Sequence, residues 1–427
     1  MSDYSSKNPY LGEMIDKKLI THPDSTKETR HICFDLGKSG LKYKVGDALG
    51  IIPQNPPELV SDLIGLLNFS GDEVVETHLG EATIEDALTN HYEVHRLSKK
   101  FIQGLEEKFS DTGPKVTLRL VGRIRNNAPR GESKLEWNWS GDEEDYPPEF
   151  APVGSADDPS LILWESLVND SDAMEDYIWS RDYIDLLSDM PNLSFNPQEF
   201  VTKLDRLKPR LYSIASSPDA HPGEVELTVA IVRYNHHGRD RGGLCTVYMA
   251  DHAPLNDMSI PMFMSPTRSF VLPKDGDTDI IMVGPGTGIA PFRAFLEQRE
   301  FDKAKGRNWL FFGDRTSTHD YLYENELSNW KDSGLLTKLD LAWSRMAEIP
   351  KTYVQNLMAK HGEEIWSWIE GGAYFYVCGD KFRMAKDVHQ TLIDIAVEHG
   401  GMSPEDAKEF VEQRLMKEEK RYLRDVY

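Results

Sequence analysis

The chain has 427 residues, 39% of them hydrophobic and 10% aromatic, which predicts two or three domains with filled cores and excludes wholesale disorder. Its formal charge of −23, from 71 acidic and 48 basic residues, repels nucleic acid and anionic membranes; it favours basic protein surfaces or serves solubility alone. No apolar run reaches the ~18–20 residues of a membrane span, the N-terminus lacks a secretory pattern, and Cys33, Cys245 and Cys378 are too scattered for a disulfide framework or a CxxC metal site. A reducing, cytoplasmic setting without a metal centre is therefore expected.

Along the chain, residues 28–52, ETRHICFDLGKSGLKYKVGDALGII, read as short strands between glycine turns, closed by Pro53. The segments PPELVSDLIGLLNF and TIEDALTNHYEVHRLSKKFIQGLEEKF, within 56–109, carry apolar residues at three- and four-residue spacing and predict helices. Residues 131–160 hold nine acidic residues and one basic, and read as a solvated loop or insertion, with a docking arm as the other reading. Helical pattern resumes in AMEDYIWSRDYIDLLSDM and NPQEFVTKLDRL. From Arg210, strands are predicted in RLYSIASSP, EVELTVAIVRY, GGLCTVYMAD and SFVLP, together an antiparallel barrel. Beyond KDGDTD, the runs DIIMVG, NWLFFGDR, LDLAWSR and AYFYVCGD alternate with helical stretches, which predicts a parallel sheet covered on both faces. The expected fold is α/β plus β-barrel: a barrel split over 1–55 and 203–273, a helical insertion over 56–202, and a nucleotide-binding α/β domain over 274–427.

In parallel α/β sheets, ligands lie beyond the carboxyl ends of the strands. Gly284-Pro285-Gly286-Thr287-Gly288 follows the first strand of the C-terminal domain and opens a helix running to about Arg299, so its amides are placed to approach a pyrophosphate. Alone, the loop reads equally as a plain structural turn, and it lacks the Lys-Ser/Thr of an ATP-binding loop. Further along, LAWSRMAEIPKTYVQ supplies Ser344, Arg345, Lys351 and Tyr353, a set suited to a 2′-phosphate and an adenine ring, or an ordinary charged loop. In RLYSIASSP, Arg210 suits a pyrophosphate, Tyr212 a flat aromatic ring and Ser213 a ring nitrogen; barrel packing is the plain alternative for Tyr212. Gly242, Gly243 and Thr246 form a second phosphate turn. Cys378 in YVCGD reads as a buried small hydrophobe, and the terminal YLRDVY ends on a ring placed to dock on something flat.

The ordered set RLYSIASSP, GGLCT, GPGTGIAPFR, SRMAEIPKTYVQ, YVCGD and RDVY resembles the ferredoxin–NADP reductase superfamily in its diflavin-reductase branch, over nearly the whole chain. GDALGIIPQN and the terminal YLRDVY are most similar to the sulfite reductase flavoproteins within it. The resemblance implies an FAD site at Arg210, Leu211, Tyr212 and Ser213, at Thr228, Val229, Ala230 and Tyr234, and at the turn Gly243, Leu244, Cys245 and Thr246. It adds Arg181, reaching toward the FAD adenine. It implies an NADPH site at Gly286, Thr287, Gly288, Ser344, Arg345, Lys351, Tyr353, Gln355 and Asp387. Ser213, Cys378 and Asp425 match the trio that holds nicotinamide against the flavin, and Tyr427 the terminal aromatic that stacks on the flavin and moves aside.

Two departures stand out. Val271 replaces a common arginine, which shifts the expected pyrophosphate charge to Arg268 and Arg293. Barrel-like sequence also begins within about the first fifteen residues, so residues 1–427 are not expected to hold FMN as diflavin reductases do. The implied activity is that of an NADPH-dependent FAD flavoprotein reductase. It takes hydride from NADPH to FAD and passes single electrons to a separate protein: a flavodoxin, a ferredoxin or a sulfite reductase haemoprotein. A ferredoxin/flavodoxin–NADP reductase of another pathway is the nearest alternative. NADH preference and a flavin-free assembly subunit are further ones.

Overall fold

Strand β1, Tyr10–Leu19, buries Tyr10, Gly12 and Met14 and turns the residues between them outward, the period of a strand with one face on a core. It pairs antiparallel with β2, Glu28–Asp35, and β3 is Ala48–Ile51. The computed structural model describes residues 4–110, 158–347 and 349–427. They form two compact units, residues 55–207 and the remainder, 1–54 with 208–427.

The unit of residues 55–207 is largely helical. Asn68, left-handed at φ 56°, ends the helix Pro57–Leu67. A hairpin of β4, Val74–Thr77, and β5, Gly80–Thr83, follows, in a stretch where helical spacing gave no strand signal. The single long helical pattern from Thr83 to Phe109 breaks into three pieces. Thr83 and Ser98 accept first-turn amides of the helices that begin at Ile84 and Lys99, the preference of hydroxyl side chains for the cap. Asp182 likewise breaks AMEDYIWSRDYIDLLSDM into Ser171–Ser180 and Tyr183–Asp189 by forming a capping box with Asp185. Phe101, Tyr183, Phe195 and Phe200 pack edge-on or tilted in the core. Residues 131–157 of the acidic segment lie outside the described residues. Its last three residues are not loop: Asp158, fully buried, caps the helix Pro159–Val168.

In the other unit, β6 (Arg210–Ser213), β7 (Glu224–Ile231) and β10 (Met258–Ser265) complete the barrel, while β8 (Arg233–His236) and β9 (Arg239–Gly242) form a separate two-stranded hairpin. The sheet order is β6-β3-β10-β1-β2-β7, every pairing antiparallel. An Ile214–Leu227 bridge joins the two edges and closes it. Two expected strands are absent. GGLCTVYMAD is helical over Leu244–His252: Leu244, Cys245, Tyr248, Met249 and Ala250 are its buried residues, a helical spacing that β-branched and aromatic composition conceals. SFVLP is irregular; the missing strand is β10, whose Pro261 weakens its strand signal.

The C-terminal half carries a sheet of order β13-β12-β11-β14-β15. Its strands are β11 (Ile280–Val283), β12 (Asn308–Asp314), β13 (Lys338–Trp343), β14 (Tyr374–Gly379) and β15 (Tyr422–Val426), all parallel. β11, β12 and most of β14 are buried, as parallel strands covered on both faces must be. The last strand is the chain terminus itself, tied into the sheet rather than frayed. Among the described residues no helix is long and apolar enough to cross a membrane.

Candidate active site

The strand registers bring together residues far apart in sequence. In the β14–β15 pair, Cys378 lies opposite Asp425 and Gly379 opposite Val426. Ser213, the last residue of β6, faces Ala48 of β3 and reaches the same point from the barrel. Its hydroxyl donates to Asp425 Oδ2 at 2.6 Å, and the Cys378 thiol lies 3.8 Å from that oxygen. The trio is thus assembled across the junction of barrel and sheet. Burial pushes the Cys378 thiol well above its ordinary range, and the Asp425 charge adds to it, so the sulfur stays a neutral thiol and is not a nucleophile.

Tyr427 stands beside this cluster. Its main chain is held at both ends, by Gly379 at 3.2 Å and Lys381 at 3.1 Å. The residue is 58% exposed, and its hydroxyl contacts that of Thr287 at 3.1 Å. The backbone is anchored, while the ring is tied to the glycine loop at its tip.

On the barrel, β6 pairs with β3 so that Arg210, Leu211 and Tyr212 face Ile51, Gly50 and Leu49. Leu211 is 57% exposed. The Tyr212 hydroxyl meets the buried Cys245 thiol, which burial pushes up to about 12. Arg210 donates to the Lys208 carbonyl at 2.9 Å. Val229 points into the barrel core, so it offers a ligand only its main chain, whereas Ala230 is half-buried and Tyr234 exposed. The Thr228 and Tyr323 hydroxyls share a hydrogen bond at 2.7 Å. At the second turn, a Cβ on Gly243 would stand 2.8 Å from Thr246 Oγ1. The amides of Leu244, Cys245 and Thr246 lie in the first turn of a helix, where they lack intrahelical acceptors. That donor set fits a pyrophosphate, and the flat rings of Tyr212 and Tyr234 fit the aromatic ends of FAD.

At the carboxyl end of the parallel sheet, Gly286–Ile289 forms a 3-10 turn leading into the helix Ala290–Phe301. Gly286 has φ +58°, and a Cβ on Gly288 would collide with the Cys378 carbonyl; both positions need glycine for the loop to lie on β14. Ser344 and Arg345 hang on the neighbouring strand end: their amides donate to the Asp314 and Arg315 carbonyls at 2.9 and 2.8 Å. Arg345, Lys351 and Tyr353 are exposed, with the Lys351 ammonium 5.1 Å from the centre of the Tyr353 ring. Gln355 donates to Asp387 at 3.0 Å. Two cations, a hydroxyl and an open ring fit a phosphorylated adenosine.

Arg293 does not supply pyrophosphate charge. It is 5% exposed, bonded to Glu226 at 2.5 Å, Glu297 at 3.0 Å and Glu326 at 2.6 Å, and donates to the Ala215 carbonyl at 2.7 Å. It is the internal cation of a carboxylate cluster. Arg268 remains exposed on a turn held by the Thr267 amide on Asp47. Arg181 belongs to the 55–207 unit, where it pairs with Asp189 at 3.0 Å and covers Tyr177. No motif marks Tyr323, whose buried hydroxyl also meets His31 at 3.1 Å, nor Asp314; the signal for Asp314 is its place at the carboxyl end of a parallel strand.

Comparison with known proteins agrees with this two-cofactor arrangement. Residues 2–130 and 164–248 match the model of the FAD binding domain, and residues 282–390 that of the oxidoreductase NAD-binding domain. Over its whole length the chain is 39% identical to the sulfite reductase [NADPH] flavoprotein alpha-component of Bacillus subtilis, covering 62% of that protein. The same-named proteins of Mannheimia succiniciproducens and Vibrio cholerae are each 36% identical, covered over 62% and 60% of their length. The chain therefore spans about three fifths of the curated relatives it matches. FAD and a nicotinamide dinucleotide are its cofactors, and the chain belongs to the FAD-binding-domain family, coupled in one polypeptide to an oxidoreductase NAD-binding domain.

Proposed function

We propose that the chain is an NADPH-dependent FAD flavoprotein reductase that passes electrons to a separate redox protein. Bound FAD supplies the chemistry: it takes up the hydride of NADPH and releases the electrons one at a time. The observation that carries the reading is the Ser213–Asp425–Cys378 cluster, built from both the barrel and the parallel sheet, with Tyr427 beside it. The Asp425 carboxylate stabilises positive charge developing on the nicotinamide, and a fixed charge in a preorganised site is effective for that. Ser213 holds the carboxylate in place through its 2.6 Å hydrogen bond. The neutral Cys378 thiol packs against the transfer path. Tyr427 moves aside by breaking its Thr287 contact while its main chain stays in the sheet. Arg345 and Lys351 hold the 2′-phosphate, with Ser344, Tyr353, Gln355 and Asp387 around the adenosine.

The relatives' identity as sulfite reductase [NADPH] flavoprotein alpha-components supports a sulfite reductase haemoprotein as the acceptor, and three buried free cysteines fit a cytoplasmic setting. The test is NADPH oxidation by the FAD-loaded chain with ferricyanide, then with a sirohaem protein plus sulfite, a flavodoxin or a ferredoxin. Ferricyanide reduction together with sulfite-dependent turnover supports the proposal. Turnover only with flavodoxin or ferredoxin assigns the chain to the other reductase class, and no NADPH oxidation overturns the reading.

A further inference from the structure

A strap of the barrel, residues 22–27, lies against the carboxyl end of β12. The His22 amide donates to the His319 carbonyl at 2.8 Å, and Ser25 Oγ to Asp320 Oδ1 at 2.5 Å. The Arg315 guanidinium donates to the Thr26 carbonyl and hydroxyl at 3.0 and 2.7 Å. The Lys27 ammonium is bonded to Asp314 Oδ2. This pair is well shielded, its side chains 20% and 5% exposed.

Asp314 occupies a sensitive place. Its Oδ2 lies 3.9 Å from where a Cβ on Gly286 would stand. Its carbonyl accepts both the amide and the hydroxyl of Ser344, at 2.9 and 3.1 Å. One residue thus buttresses both the glycine loop and the Ser344–Arg345 turn. An unpaired carboxylate there would repel a pyrophosphate, and low solvent exposure would leave that repulsion poorly screened.

The geometry points to Lys27 as a positioning residue for the dinucleotide: its ammonium cancels the Asp314 charge beside the pyrophosphate loop. The inference rests on the reading of residues 286–288 as that loop. Because the pyrophosphate is common to NADPH and NADH, Lys27 acts on both alike, whereas Arg345 acts only on the 2′-phosphate. Asp314 is faced by the Lys27 ammonium, the Arg315 amide and the Asp320 carboxylate; burial raises its carboxyl and Lys27 opposes that rise. Without Lys27, the carboxyl ionises progressively as pH rises, so repulsion grows in that direction.

The experiment uses the full FAD-loaded chain and the variants K27M, D314N and K27M/D314N. Ferricyanide reduction is followed with NADPH and NADH, and calorimetry measures 2′-AMP, which carries no pyrophosphate. K27M should raise KM for both cofactors by about tenfold, with kcat held within about twofold. That rise should grow as pH increases, because the stranded carboxyl ionises in that direction. In K27M/D314N, KM should return to within about twofold of the parent, without the pH dependence, since the harmful charge is gone. Affinity for 2′-AMP should be unchanged throughout. An unchanged KM in K27M, a double variant no better than K27M, or a parallel loss of 2′-AMP binding would overturn the assignment. Failure of the parent chain to bind 2′-AMP would instead overturn the underlying NADPH reading.

Discussion

Replacing Arg293 with methionine keeps the apolar stem and removes the one guanidinium that Glu226, Glu297 and Glu326 share. Arg293, Glu226 and Glu297 have side chains only 6–8% exposed; Glu326 is 39% exposed and counts for little, because solvent screens it. Removing one partner of a buried ion pair costs about 3–5 kcal/mol, since the remaining charge is stranded. With about 2–4 °C per kcal/mol for a domain of this size, the melting temperature should fall by roughly 6–20 °C. Thermal unfolding followed by circular dichroism is the assay, and a fall of less than about 2 °C would refute the reasoning.

The cluster also sets a pH window. Burial works to raise the Glu226 carboxyl, but the His31 hydrogen bond and the Arg293, His31 and His221 charges outweigh it and hold it at about 2, below its ordinary 4.5. Its stabilisation is therefore complete above pH 4.5 and is lost as pH falls toward 2. The hydrogen bond to Glu297 raises His221 above 6.5 against the opposing effect of burial. Its stabilisation is complete below 6.5 and is lost as pH rises through the elevated value. The contribution should peak between those limits in the parent chain; in R293M the acid-side limb from Glu226 should weaken, whereas the His221 limb should extend to higher pH because Arg293 opposes the His221 charge.

Three further outcomes concern the active site. D425N removes a charged acceptor 2.6 Å from Ser213 and should slow hydride transfer in stopped flow by roughly tenfold to a hundredfold, at unchanged FAD content. Trimming the terminal ring, as Tyr427→Gly, removes a group that must vacate the site and should tighten NADP+ binding by calorimetry; weaker binding would contradict the gate. R345A should raise KM for NADPH by about tenfold or more and leave KM for NADH within about twofold; an equal rise for both would place the 2′-phosphate elsewhere.

Much of the site is legible because its residues sit where strand grammar is strongest. Gly284–Gly288, Ser344–Arg345 and Cys378 each follow an apolar run of the parallel sheet, so their shared end can be inferred before any coordinates. Asp425 is legible only through the resemblance, since nothing local marks YLRDV as a strand, whereas the terminal Tyr427 ring already reads as one docked on a flat partner. Other features are set by partners distant in sequence. Arg293 looks like a free cation in APFRAF until Glu226 and Glu326 arrive from elsewhere, and Lys27 meets Asp314 across 287 positions. The helix at Leu244–His252 was hidden for a different reason: valine, tyrosine and threonine favour strands, and only burial of Leu244, Cys245, Tyr248 and Met249 reveals the helical period.

The most direct measurement is anaerobic addition of one equivalent of NADPH to the FAD-loaded chain while its visible flavin absorption is followed. The expected result is rapid bleaching in the parent chain, slowed in D425N at the same flavin content. A chain that binds no flavin, or whose flavin colour persists in the presence of NADPH, would contradict the assignment.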